Sequence, residues 1–303
     1  MAANVFHRVL IRAMQYVPQP VAWRFSKRYI AGEHLQDAYQ TVRTLNALGC
    51  SATIDVLGED STCEKQVQAS RDLYVEALRG IESASLNCNV SVKLSDMGLR
   101  FDVERCTEVM CELVSRAGTN GNFVRIDMED SSVTTVTLDI FRNLREQFDN
   151  VGVVIQSCLR RSEGDVAELL CGGATNIRLC KGIYIEPEAI AYHDPDDIRI
   201  SFQKILQQLL EGGAVRVGIA THDPALINYA KDMIRNLGIA KDRYEFQMLL
   251  GVAGRLRKKL VEEGHPLRVY VPFGELWFKY SMRRLAENPH IAGHIIRNLF
   301  DRQ

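Results

Sequence analysis

A (β/α)8 barrel with an N-terminal helical extension is the fold this sequence predicts, and three observations predict it. Short β-branched runs alternate with longer helix-period segments, and the alternation recurs eight times. The chain has 303 residues, which suits one barrel of about 250 residues plus an extension. The strand after Cys50 runs into Leu57-Gly58-Glu59-Asp60, which is not the glycine-rich fingerprint of an open doubly wound sheet.

The elements follow in order. Glu33–Leu48 has helical periodicity and closes the N-terminal side. The strands expected are Ser51–Val56, Asn89–Leu94, Asn122–Asp127, Val151–Gln156, Asn176–Leu179, Val215–Ala220, Arg243–Gln247 and Leu267–Val271. Helical patterns between and after them include Cys63–Ile81, Val133–Phe148, Asp196–Leu210, Asp223–Leu237, Ala253–Glu263 and Gly274–Glu287, with Pro289–Phe300 as a terminal helix. Such alternation implies a parallel sheet with helices outside it. No linker rich in Pro, Gly or Ser interrupts the chain, so residues 1–303 read as one domain with residues 1–30 as a helical extension.

Composition narrows the function. Hydrophobic residues make up 46% and charged residues 25%, which is enough apolar material for a large core. The net charge of −1 gives no electrostatic reason to expect a nucleic-acid partner. Eight cysteines lie scattered without a CxxC pair, several of them in or beside apolar runs (Cys111, Cys158, Cys171, Cys180), and read as reduced, mostly buried thiols. There is no metal-ligand spacing, no GxSxG elbow and no Walker A loop. No uninterrupted apolar run reaches the roughly 18 residues of a membrane-spanning helix.

Residues 1–30 carry His7, Arg8, Arg12, Arg24, Lys27 and Arg28, and no acid precedes Glu33. Two readings of this stretch stand. It is either a helical extension packed on the barrel, or a membrane-surface contact or transit segment. The localisation expected is cytoplasmic, with a peripheral contact to the inner face of the membrane as the second reading.

In a barrel the active site sits at the C-terminal ends of the strands. Polar residues gather there: Lys93, Asp127, Gln156, Arg178, Lys181, Thr221, His222, Glu245, Gln247 and Tyr270, with Arg283 and Arg284 on the helix after the last strand. Buried unpaired charge costs several kcal/mol, so these groups must pair or bind something. Cations outnumber Asp127, which predicts an electropositive mouth suited to a dinucleotide phosphate and a carboxylate substrate. Each residue also has a plainer use. Lys93 could end its strand in solvent, and Asp127 could cap the next segment or pair with Arg125. Arg178 and Lys181 could be salt-bridged scaffold. Thr221 could cap a helix beginning near His222, and Arg283–Arg284 could be a solvated face.

Seven ordered segments resemble proline dehydrogenases: VSVKLSDMGL (Val90–Leu99), VRIDMEDS (Val124–Ser131), VGVVIQSCLRR (Val151–Arg161), IRLCKGIYIEP (Ile177–Pro187), IATHD (Ile219–Asp223), YEFQMLLG (Tyr244–Gly251) and RVYVPFGELWFKYSMRRLAENP (Arg268–Pro289). The resemblance covers about Ala31 to Pro289, and the chain is similar to the short monofunctional bacterial type. It implies noncovalent FAD and oxidation of L-proline to Δ1-pyrroline-5-carboxylate, with hydride passing to flavin N5 and electrons onward to a quinone. It implies that Lys93, Arg283 and Arg284 hold the substrate carboxylate and that Tyr184, Leu249 and Tyr270 line the pocket. It assigns Asp127 and Arg178 to catalysis, with Arg178 near the flavin's reactive edge. On the flavin side it places Met128, Gln156, Arg178, Lys181, Gly182, Ile183, Thr221, His222 and Glu287. Cys180 stands where the family often has valine, Ile183 where it has alanine, and Phe273 where it has tyrosine; the bulkier Ile183 adjoins the site. A Schiff-base aldolase or lyase using Lys93 or Lys181 is the alternative chemistry.

Overall fold

The computed structural model describes residue 23 and residues 26–58, 60–173, 176–278 and 280–281. Among them, eight parallel strands close into a barrel in chain order, with the last pairing the first. The strands are β1 (Ser51–Val56), β2 (Cys88–Val92), β3 (Val124–Ile126), β4 (Val151–Gln156), β5 (Asn176–Cys180), β6 (Arg216–Ala220), β7 (Tyr244–Leu249) and β8 (Leu267–Phe273). The helices are α1 (Leu35–Ala47), α2 (Glu64–Ser83), α3 (Val103–Thr119), α4 (Thr134–Arg145), α5 (Ser162–Cys171), α6 (Pro195–Glu211), α7 (Pro224–Asn236) and α8 (Gly254–Glu262).

Local chemistry starts these helices. Asp102 caps α3 by accepting from Arg105 N at 2.9 Å. Asp194 and Asp223 cap α6 and α7, each followed by proline at the first helical position, where its missing N–H costs nothing. So Asp223, not Thr221, is the cap; the Thr221 hydroxyl accepts the Asp223 N–H at 3.1 Å instead.

The apolar core is a sleeve between strands and helices. Ile54, Val90, Val92, Ile126, Val153, Ile177, Leu179, Ile219, Phe246 and Val269 face outward into it and are fully buried. Alternation then turns the intervening residues into the barrel, and these are mostly polar: Thr53, Asp55, Asn89, Ser91, Arg125, Arg178, Gln247 and Tyr270. Most barrels fill this interior with Val, Ile and Leu layers. Here the filling is a hydrogen-bonded stack with a mouth at one end and a charged base at the other.

Helix α1 packs beside β8 and β1. The chain leaving β8 therefore turns away at Gly274, whose φ of +133° favours glycine and whose N–H reaches Gly32 O at 3.0 Å. Trp277 then donates to Glu33 at 2.8 Å and meets Trp23 edge to face at 4.8 Å. Tyr29 and Ile30 are buried, and Ala31 N bonds Pro272 O at 2.9 Å. The end of the cationic extension thus packs on the barrel; residues 1–22 lie outside the described residues.

Helices α3 and α5 were not singled out in the sequence. Strand β7 runs to Leu249, two residues beyond the expected end, and this lowers Glu245 to the barrel's base. Cys171 is exposed in the last turn of α5, while Cys50, Cys88, Cys106 and Cys158 are buried; all eight thiols are free.

Candidate active site

Asp127 is the hub of the mouth. It stands one residue past the end of β3, its backbone N–H held by Val92 O at 2.9 Å. One carboxylate oxygen accepts from Ser91 Oγ at 2.7 Å and from an Arg178 guanidinium nitrogen at 2.7 Å. The other accepts from the Tyr270 hydroxyl at 2.8 Å. Strands β2, β3, β5 and β8 therefore converge on one carboxylate. Burial and the adjacent Asp127 charge hold the Tyr270 phenol far above its ordinary pKa, so it remains a donor. The Arg178 guanidinium lies 5.5 Å from the Tyr270 ring centre, within cation–π range.

The partner of Asp127 is Arg178 rather than Arg125. Both arginines face inward, but Arg125 lies deeper and spends its donors on Val153 O at 2.9 Å and Asn176 O at 2.6 Å.

Lys93, just past β2, is buried and pairs with Asp55 of β1 at 2.6 Å. Burial pushes the Asp55 carboxyl up, only partly offset by the ammonium beside it. Burial alone would lower the Lys93 pKa, but Asp55, Asp127 and Glu129 more than reverse this and hold it raised. Asp55 was missed in the sequence. The run SATIDV reads as β-branched strand; only its alternation with Thr53 would have shown that a carboxylate points inward.

The β5 and β6 side is built differently. Lys181 Nζ lies 2.6 Å from Asp223, and Arg199 Nε reaches the same oxygen at 2.8 Å. Burial raises the Asp223 carboxyl, yet these two cations hold it well below the ordinary carboxylate range. Arg199 also pairs with Asp196 at 2.5 Å, so these two cations face two carboxylates, and this group sums to zero as Lys93–Asp55 and Arg178–Asp127 do. Lys93, Arg178 and Lys181 are thus each paired, and the cationic excess expected for the mouth would come from Arg283 and Arg284, which lie outside the described residues.

His222 Nε2 accepts the Leu249 N–H at 2.9 Å. A backbone N–H can only donate, so the proton of a neutral His222 sits on Nδ1. Gln156 is buried and donates to Glu129 O at 2.8 Å. Glu129 in turn accepts the Ser95 N–H at 2.9 Å and its hydroxyl, joining the loops after β2 and β3. Glu186 ties the β5 loop to the β3 loop through Ser131 N at 2.7 Å. Gly182 has φ of +96°, and a Cβ there would collide with Cys158 Sγ, so glycine is demanded by this chain's own packing.

Met128 and Thr221 are buried at the same end, Leu249 and Tyr184 are half-buried, and Ile183 is exposed. Arg283, Arg284 and Glu287 lie outside the described residues.

Comparison with known proteins places this arrangement. The proline dehydrogenase family model matches residues 38–297. Proline dehydrogenase 2 of Bacillus subtilis is 36% identical over 264 residues, covering 86% of each chain. Proline dehydrogenase of Deinococcus radiodurans is 35% identical over 283 residues, covering 91% of this chain and 90% of the other. The crystal structure of proline utilization A from Bdellovibrio bacteriovorus, inactivated by N-propargylglycine, superposes with a TM-score of 0.81 at 27% identity; the match covers 87% of this chain but 32% of that longer one. A family match over most of the chain, together with one-third identity to near full-length relatives, makes this protein a member of the proline dehydrogenase family of enzymes.

Proposed function

We propose that the chain oxidises L-proline to Δ1-pyrroline-5-carboxylate with FAD as cofactor and a quinone as the onward electron acceptor. The observation that carries this reading is the Asp127–Arg178–Tyr270–Ser91 cluster at the mouth of a barrel of this family. The donor set fits FAD. Arg178 Nε is buried without a hydrogen-bond partner among the described residues, and the Lys181 ammonium stands just past the end of β5. Met128, Gln156, Arg178, Lys181, Gly182, Ile183, Thr221, His222 and Glu287 would hold the cofactor. Lys181 would serve a phosphate and the Nδ1–H of His222 a phosphate or ribityl oxygen. When bound, FAD supplies the two-electron acceptor for the hydride from the proline ring.

The chain's own residues orient the substrate. Lys93 is already neutralised by Asp55, so the carboxylate draws its countercharge from Arg283 and Arg284, with Lys93 as a further donor. Guanidinium–carboxylate hydrogen bonds contribute roughly 1.5–3 kcal/mol each. Tyr184, Leu249 and Tyr270 wall the ring. Asp127 accepts three donors and acts by fixing Arg178 and Tyr270, while Arg178 offers positive charge where the reduced cofactor becomes negative. A Schiff-base reaction at Lys93 requires a neutral amine, and carboxylates on three sides keep that amine charged.

Among the described residues no helix is long and apolar enough to cross a membrane. We propose a cytoplasmic enzyme with a peripheral contact to the inner face of the membrane, for which the acid-free residues 1–30 supply the positive charge. Arg284→Ala tests the substrate assignment: the apparent KM for proline rises about tenfold or more while flavin content is unchanged. An unaltered KM refutes it.

A further inference from the structure

A cavity of about 510 Å³ opens at the other end of the barrel, between the N-terminal ends of the strands and the loops that lead into β2 and β3. Its lining is polar and contains three arginines, Arg125, Arg216 and Arg268, with Glu245 as the one carboxylate on the strands beneath. Glu245 is buried and receives Arg268 Nε at 2.7 Å, Arg216 at 2.9 Å and Gln247 Nε2 at 2.7 Å. Burial pushes its carboxyl up, but Arg268 and Arg216 overcome this and pull it down to about 2. Glu82 at the rim is the second carboxylate of the lining, so two negative charges are set against three guanidinium groups. Arg125 is almost fully buried and has carbonyl and amide oxygens as partners, but no carboxylate among the described residues. Burial first, and then repulsion from Arg178 and Arg268, depress its pKa strongly. Arg125 Nε and Arg216 Nε are also buried without hydrogen-bond partners among the described residues.

The proposed reaction has no use for this end, because barrel chemistry sits at the opposite one. A polar cavity of ligand size with an unbalanced guanidinium cluster nonetheless has the chemistry of an anion site. Planar forks match carboxylate and phosphate oxygens, and the lining amides of Asn122 and Asn176 add polar edges.

We propose that the N-terminal mouth of the barrel binds a small oxyanion, a carboxylate or a phosphate group, on Arg216 and Arg268 with Arg125 behind them. Such a ligand balances the surplus charge and links its own concentration to the stability of the barrel.

The test uses the flavin-loaded enzyme, with inorganic phosphate and succinate as probes and sodium chloride at matched ionic strength as the reference. Calorimetry and thermal unfolding should show saturable binding of at least one probe. Phosphate above succinate identifies a phosphate ligand, the reverse a carboxylate ligand, and neither overturns the proposal. Two variants have opposite expected signs. Arg216→Gln weakens the probe by about tenfold, and Glu245→Gln, which removes the competing negative charge, tightens it. A purely structural network would lose stability in both variants without moving anion affinity in opposite directions. Equal affinity in wild type and Arg216→Gln places the anion elsewhere and overturns the proposal. Should either variant fail to fold, the wild type decides alone: arsenate diffused into crystals gives an anomalous peak against Arg216 and Arg268, or its absence there overturns the site.

Discussion

Three donors crowd two oxygens at Asp127, and that crowding sets what the residue can do. Three of its roughly four acceptor sites are taken by Ser91, Arg178 and Tyr270, so it fixes the positions of those donors. Asp127→Asn removes the charge and leaves a guanidinium buried without compensation, a loss of about 3–5 kcal/mol in stability by analogy with other buried pairs. Displacing Arg178 and Tyr270 should lower kcat/KM by about a hundredfold. Urea unfolding and steady-state kinetics on the variant check both numbers, and wild-type values in either would remove Asp127 from the hub. Lys93, Asp127, Arg178 and Lys181 were legible in the sequence because an ionisable residue at the end of an apolar run is costly unless used. Their partners were less legible. Asp55 hides inside a β-branched run, and Arg199 sits on a helix far along the chain; neither pairing follows from local spacing.

At the scale of elements, the loop after β5 shows how tightly backbone and site are joined. Gly182 turns with positive φ while Cys158, two residues past β4, fills the space beside it. Gly182→Ala should cost about 1–3 kcal/mol in backbone strain, with a similar penalty for the overlap with Cys158. Chemical denaturation measures the sum, and a variant as stable as wild type would mean that the loop relaxes freely. Helix and strand alternation was readable because a two-residue period changes to 3.6 at each boundary. The expected bounds matched β1 and β4, but β7 ended two residues early in the sequence reading, since a run that continues through Met248 and Leu249 carries no stop signal. That shortfall moved Glu245 from the base to the mouth, which is why the charged base went unnoticed.

Across the whole molecule, charge is sorted along the barrel axis. Among the described residues the mouth holds paired groups, whereas the base holds three arginines against Glu245 and the rim residue Glu82. Because the folded Glu245 pKa is depressed from 4.5 to about 2, its contribution is complete above about pH 4.5 and is lost as the pH falls towards 2. The size is about 3 kcal/mol. The stability gap between wild type and Glu245→Gln should therefore narrow as the pH drops from 5 to 3; a constant gap would show that the ion pairs contribute nothing. The barrel itself could be read from eight alternations. The polar filling could be read only in part, because facing depends on register, and register is set by closure across the full circle.

The central claim is that the mouth holds a flavin against proline. Purified protein loaded with FAD and mixed anaerobically with L-proline should lose its visible flavin band, with Δ1-pyrroline-5-carboxylate formed in equal amount. A protein that takes up no FAD, or a band that proline leaves unchanged, contradicts the account.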